Sequence, residues 1–155
     1  MPFPLVVLDA SAALALLLAE KEGDDIAALI GDTIKENGQI FVPGVFWYEL
    51  GNGMLTAERR NRMSRQEVTA AERYFSRLPI VTHAPSDQEG RLSIYELARK
   101  HGLSFYDASY LELALRHQAS LASCDAHLTS LKKRYPQIFP GAGSRPQPGH
   151  ARDRR

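Results

Sequence analysis

Only one cysteine, Cys124, stands among the 155 residues, so no intrachain disulfide can form, and it has no partners at metal-ligand spacing for a zinc site. The five histidines do not cluster into a metal site either. No apolar run is long enough to cross a bilayer. The richest, MPFPLVVLDASAALALLLAE, is interrupted by Asp9 and lacks the basic leading segment of a secretory signal, which makes the cytoplasm the expected compartment. Excess charge is missing too. Nineteen Lys and Arg against eighteen Asp and Glu leave a net charge of +1, which makes no global electrostatic claim on nucleic acid, so any phosphate contact has to come from local patches. There is no internal repeat. What remains is a chain with 44% hydrophobic residues, long enough for one domain with a sizeable core and too short for two ordinary ones.

The order of patterns predicts alternating strands and helices. Leu5 to Leu8 is an unbroken apolar run ending in an acid, as in a strand covered on both faces. An Ala/Leu-rich helix over 10–20 and a second over 24–36 follow, the latter stopped by Asn37-Gly38. Gln39 to Val42 reads as a strand, and Pro43-Gly44 opens a helix. The charged stretch from Glu58 to Glu72 has the character of a solvated helical pair. Leu78 to Thr82 is a third strand, Ser86 a cap-like start for a helix reaching Lys100, and Gly102 its stop. Helix 103–116, strand 120–124, helix 125–134 and a strand fragment at Ile138-Phe139 complete the pattern. Such alternation implies an α/β domain with a mainly parallel sheet and helices on both faces. The domain is expected over 1–139, and PGAGSRPQPGHARDRR, residues 140–155, is expected to be a flexible basic tail with no large apolar anchor.

Four acids occupy awkward places in this pattern. In LSFYDASYLELALR, Asp107 shares a helix face with Tyr110, Leu111, Ala114 and Leu115, so an acid points toward the side that should be buried. Asp9 and Asp125 each follow a strand, at the sheet edge where open parallel sheets bind ligands. Glu49, in VPGVFWYELGNGML, shares a stripe with Val45, Phe46 and Gly53. Each acid also has a plainer reading. Ser104 and Asp107 have the spacing of a capping box, Asp9 and Asp125 can cap the helices that follow them, and Glu49 is an ordinary exposed residue if Gly51-Asn52-Gly53 is a turn.

If the four converge, their six carboxylate pairs at about 6 Å and an effective dielectric near 20 repel by roughly 3 kcal/mol each. Together that rivals the roughly 5–15 kcal/mol stability of a whole domain. Such a site has to protonate or hold cations, and hard oxygen donors without a His or Cys cluster select Mg2+ or Mn2+. Acid clusters of this kind serve phosphoryl chemistry above all, and with no covalent nucleophile beside a base, direct attack by water is the simpler mechanism.

These residues resemble the PIN-domain ribonucleases, in particular the small VapC-type toxins of bacterial toxin-antitoxin pairs. VVLDASAALALLL is similar to the first motif, with Asp9 as metal ligand and Ser11 supporting it; VPGVFWYELGNGML to the second, with Glu49 and its frequent companion Asn52. GLSFYDASYLELALR is similar to the third, giving Asp107, and LASCDAHL to the fourth, giving Asp125. Ser123 stands where that family usually has Thr, keeping the hydroxyl. The resemblance covers about residues 5–139. It implies a three-layer α/β/α fold with a central sheet of four to five strands, Mg2+- or Mn2+-dependent endonucleolytic cleavage of RNA, a homodimer, and inhibition by a small cognate antitoxin. It makes Asp9, Glu49, Asp107 and Asp125 the catalytic metal ligands, with Ser11, Asn52 and Ser123 behind them.

Other features carry weaker signals. Arg59, Arg60, Arg62 and Arg65 can neutralise RNA phosphates, and so can Lys132, Lys133 and Arg134, although basic residues near helix ends are often simply solvated. His127 reads as helix surface. Trp47 and Tyr48 can stack bases, with core packing or a dimer contact as the plainer role. Leu14, Leu17 and Leu18 suit either a groove for an antitoxin helix or the protein's own core. Two other functions fit acids at strand ends: a receiver-like phospho-signalling domain, and a catalytically inactive PIN-like module that binds RNA or protein. The receiver reading wants a second acid beside Asp9, which is absent.

Overall fold

The computed structural model describes residues 3–84 and 87–139. Four strands form one sheet: β1 (Leu5–Leu8), β2 (Gln39–Pro43), β3 (Ile80–His83) and β4 (Ser120–Ala122), in the order β3-β2-β1-β4. All three pairings are parallel, with Val6 opposite both Ile40 and Ser120 and Ile40 opposite Ile80. The sequence accounts for the order. Every residue of β1 is buried, as its uninterrupted Leu-Val-Val-Leu run requires of a central strand, whereas β3 is only half-covered at its edge.

Seven helices are described: α1 (Ala10–Leu17), α2 (Gly23–Lys35), α3 (Val45–Arg59), α4 (Arg65–Ser76), α5 (Gln88–His101), α6 (Phe105–His117) and the single turn α7 (Ala126–Thr129). Right-handed crossovers from β1 to β2 and from β2 to β3 place α1–α4 on one face, and the return from β3 to β4 places α5 and α6 on the other. Helix α1 accordingly packs on α2 and α3, while α6 lies across β1, β2 and β4 with α5 outside it. The chain reverses direction across the sheet between β1 and β4. That is the switch point at which the loops leave a crevice beyond the strands' carboxyl ends, and Asp9 and Asp125 stand there.

Several boundaries differ from those the sequence predicts. Helix α1 ends at Leu17, and Ala19 takes a positive φ of 49°. Helix α3 runs without a break through Gly51-Asn52-Gly53 to Arg59, because Phe46, Leu50, Met54 and Ala57 make a continuous buried stripe. The charged pair of helices is therefore the end of α3 and the separate α4, which is capped by a reciprocal Ser64–Glu67 box. Strand β3 begins at Ile80 rather than Leu78. Helix α5 is capped by Asp87, whose side chain accepts from the Gly90 amide; Ser86, the expected cap, lies outside the described residues, as does the expected tail 140–155. Strand β4 stops at Ala122, and the expected helix 125–134 is one turn followed by further turns. Ile138-Phe139 forms no strand, although the Ile138 carbonyl accepts from the Leu121 amide at 2.6 Å. Among the described residues no helix is long and apolar enough to cross a membrane.

Candidate active site

Asp9 leaves the end of β1 and occupies the N-cap position of α1, yet its side chain makes no capping bond. Its backbone carbonyl accepts from the Ala12 and Ala13 amides instead. The carboxylate faces the start of α1 and the end of β4 together: Oδ2 accepts from the hydroxyls of Ser11 at 2.7 Å and Ser123 at 2.6 Å, and the Ser11 amide also favours its charge. The expected cap therefore finds Asp9 at the N-cap position with its carboxylate engaged chiefly by hydroxyls. Those hydroxyls are themselves fixed: Ser11 Oγ accepts from the Cys124 amide and Ser123 Oγ from the Asp125 amide, both at 3.0 Å. The network stitches the end of β1 to the end of β4. Asp9 is only 3% exposed. Burial pushes its carboxyl above the usual range, against the two hydroxyls that favour the charge, and the field of Asp125 adds to the rise.

The other three acids arrive from three other elements. Asp125 does cap α7, its Oδ1 accepting from the His127 and Leu128 amides at 2.9 and 3.1 Å. Asp107 sits in the first turn of α6, half-buried, and its amide donates to the Ser104 hydroxyl at 3.1 Å. The serine half of the expected box is formed, and no return bond from the carboxylate to the Ser104 amide accompanies it among the described residues. Burial raises the Asp107 carboxyl, and Asp125 and Asp9 raise it further. Glu49 projects from α3, half-buried, and Oε1 accepts from the Tyr110 hydroxyl at 2.7 Å. Its carboxyl is raised by burial first and then by Asp9, Asp107 and Asp125, with the Tyr110 bond opposing. The four acids, from four different elements, therefore lie within one another's fields at the carboxyl end of the sheet.

Tyr110 is the residue that sequence reasoning missed. It is fully buried, and burial together with Asp9 and Glu49 holds its phenol far above the ordinary value, so it stays a donor. Its helical register with Asp107 was visible in the sequence, but nothing there pairs it with an acid 61 positions away. Asn52 lies one turn beyond Glu49, exposed and, among the described residues, without a hydrogen bond to the acids.

Of the basic residues, His127 alone bears on the cluster among the described residues, its field opposing the rise of the Asp107 carboxyl. Arg59, Arg60 and Arg65 are exposed, and Arg62 pairs with Glu20 at 3.2 Å. Arg59 is ten residues beyond Glu49 on the same helix, about 15 Å along its axis. Lys132, Lys133 and Arg134 are exposed, and so is His127. Trp47 takes the packing role: it is half-buried against Phe46 and donates to Thr82 Oγ1 at 2.9 Å, while Tyr48 is 82% exposed. Leu14, Leu17 and Leu18 pack against the core. A groove of about 660 Å3 between α5 and α6, lined by Leu92, Leu97 and Leu115, contains none of the four acids.

A hard divalent ion suits this donor set, which offers carboxylate oxygens and no sulfur or imidazole among the four side chains. Glu49 Oε2 and Asp125 Oδ2 carry no protein hydrogen bond among the described residues, so each acid keeps an oxygen available. No three His, Cys, Asp or Glu side chains among the described residues already stand in an ion-holding arrangement. Asp107, half-exposed, has room to move toward an ion.

Residues 6–134 match the PIN domain family model. PIN domains are generally nucleases and typically use divalent metal ions. No curated protein matches the chain. Two crystal structures are similar in fold. PAE2754 from Pyrobaculum aerophilum has a TM-score of 0.60 and 23% identity over 82% of this chain and 78% of that one. VapC20 from Mycobacterium tuberculosis, a sarcin-ricin loop cleaving toxin, has a TM-score of 0.55 and 14% identity over 81% of this chain and 93% of that one. The family match runs from within β1 through α7, all four acids included, and on that evidence the chain belongs to the PIN-domain family.

Proposed function

We propose that this protein is an Mg2+- or Mn2+-dependent endoribonuclease, the toxin of a type II toxin-antitoxin pair, in which Asp9, Glu49, Asp107 and Asp125 hold the metal. The observation that carries the reading is the buried Asp9 carboxylate, held by two serine hydroxyls within the fields of three further acids. A stabilising network alone has no use for so much charge of one sign. The similarity to VapC20, a toxin that cleaves the sarcin-ricin loop, supports RNA as the substrate and a small antitoxin as the partner. A homodimer and a cytoplasmic location complete the proposal.

The chain's own residues would divide the work. Ser11 and Ser123 donate to Asp9 and accept from backbone amides, which suits them to orient the carboxylate rather than attack phosphorus. Asp125 is fixed through Oδ1 by its own helix and presents Oδ2. Asp107, less buried, would adjust to the ion and substrate, and Glu49 would present Oε2. A divalent ion held by these acids would make a water acidic enough to give up its proton and attack a phosphodiester, and would offer positive charge to the leaving oxygen. Arg59, Arg60 and Arg65, exposed beyond the site, would meet phosphates farther along the strand.

Purified protein incubated with RNA and Mg2+ or Mn2+ should cleave it, EDTA should abolish cleavage, and Asp107→Asn should lower the rate at least 100-fold. An Asp107→Asn protein as active as its parent would remove Asp107 from the machinery. RNA binding without metal-dependent cleavage would give the inactive binding module instead.

A further inference from the structure

The geometry points to Tyr110 as a positioning residue: its hydroxyl reaches from α6 across the end of the sheet and holds the Glu49 carboxylate in the four-acid site. This rests on the metal-dependent reading above and names a residue that reading does not use. Tyr110 is 0% exposed, and its hydroxyl donates to Glu49 Oε1 at 2.7 Å. Helix α6 packs on β1, β2 and β4, whereas α3, which carries Glu49, belongs to the opposite layer. The bond therefore joins the two helical layers at the switch point.

The hydroxyl also lies within reach of the Ala10 amide at the start of α1, so phenylalanine would fill the same space between the helices but remove both polar contacts; the Glu49→Gln background separates the two. Glu49 has its own route to satisfaction, because it is half-exposed and water can reach it. Left to itself, such a side chain samples several rotamers. With Oε1 anchored, the carboxylate is confined and Oε2, which has no protein hydrogen bond among the described residues, remains for a ligand. Tyr110 also follows Asp107 by three residues on α6. One helix thus supplies an acid directly and fixes a second from the other layer. Hydrogen-bond partners behind metal ligands typically change metal affinity 10–100-fold when removed.

The test is Tyr110→Phe, alone and combined with Glu49→Gln. Mn2+ binding is measured by calorimetry on RNA-free protein, with cleavage kinetics and a thermal melt alongside. Tyr110→Phe should weaken Mn2+ binding about 10-fold or more and lower kcat while leaving KM for RNA within about twofold, with the fold intact. In the Glu49→Gln background the same change should alter Mn2+ affinity by less than about twofold, since the carboxylate it positions is gone. Parent-like Mn2+ affinity in Tyr110→Phe, or an equal loss in both backgrounds, overturns the inference. If Tyr110→Phe does not fold, the proton resonance of the Tyr110 hydroxyl in the parent decides. A shift on titration with diamagnetic Mg2+ and another in Glu49→Gln support the role, and a resonance unmoved by Mg2+ overturns it. Because binding is read without RNA, a parent that binds Mn2+ through Tyr110 and Glu49 yet cleaves nothing defeats only the ribonuclease reading. A parent that binds no Mn2+ defeats both.

Discussion

Asp9 shows how a buried carboxylate is kept. Its burial is opposed chiefly by two hydroxyl donors, Ser11 and Ser123, and each such charge-assisted bond contributes about 1.5–3 kcal/mol. Ser123 does double duty, since it also accepts from the Asp125 amide. Ser123→Ala should therefore destabilise the protein by about 1–3 kcal/mol at pH 8. The loss has a pH signature. The hydroxyl favours the charged form of a carboxyl whose folded value is already raised, so its deletion matters most where Asp9 is ionised and least where it is protonated. Urea unfolding at pH 8 and pH 5 should show the larger difference from parent at pH 8, and Ser123→Thr, which keeps the hydroxyl, should recover most of it. An equal loss at both pH values would mean that Ser123 supports packing rather than the charge. Ser11 and Ser123 were legible through the resemblance of VVLDASAALALLL and LASCDAHL to the family's first and fourth motifs. Tyr110 could not, because only the folded sheet brings α6 and α3 together at that point.

Helix α3 shows where local pattern and tertiary packing disagree. Two glycines within three residues suggest a turn, yet the helix continues because its buried stripe outweighs the roughly 1 kcal/mol each glycine costs relative to alanine. The two glycines are not equivalent. A Cβ built at Gly51 meets nothing within 4 Å, whereas at Gly53 it would collide with the Leu14 side chain of α1. Gly51→Ala should raise stability by about 0.5–1 kcal/mol. Gly53→Ala should lower it by about 1 kcal/mol, because the half-buried Leu14 side chain packed against the core has to shift. Denaturant midpoints of the two variants decide the matter, and a stabilised Gly53→Ala would show that α1 and α3 tolerate a wider separation. Elements whose signals agree were the legible ones: the apolar run of β1, the Ser104 cap of α6, and Gly102, whose positive φ of 64° ends α5. The misreadings cluster where several short polar residues compete. Asp87 caps α5 in a region where the sequence offers more than one candidate, and the chain after α7 coils through turns because only Leu128 there is a buried anchor within the helix.

The sequence left the meeting of the four acids as a supposition; topology supports it in part, since Asp9 and Asp125 follow the strands that flank the switch point, while Glu49 and Asp107 sit on α3 and α6 in the opposite layers. What the sequence could not supply was each acid's local partner, and those partners set the electrostatics. Asp9, Glu49 and Asp107 all have carboxyls raised above the ordinary range, with burial as the first cause in each. An acid whose folded value is raised binds its proton more tightly in the folded state. Its contribution to stability is therefore complete below the unfolded value, near 4, and is lost as pH rises through the raised folded value. With chelator present, the protein should melt at a higher temperature near pH 5.5 than near pH 8.5, and Asp9→Asn should flatten that dependence. A divalent ion binds the deprotonated carboxylates, so it should act in the opposite direction. Mn2+ at 100 times its dissociation constant stabilises by about 2.7 kcal/mol, or about 5–10 °C for a domain of this size. That gain should appear at pH 8.5 and shrink at pH 5.5. A chelated protein whose melting temperature climbs steadily from pH 5.5 to 8.5 would show that these carboxylates are stabilised in the fold without a cation, and the argument from crowded charge to bound metal would lose its footing.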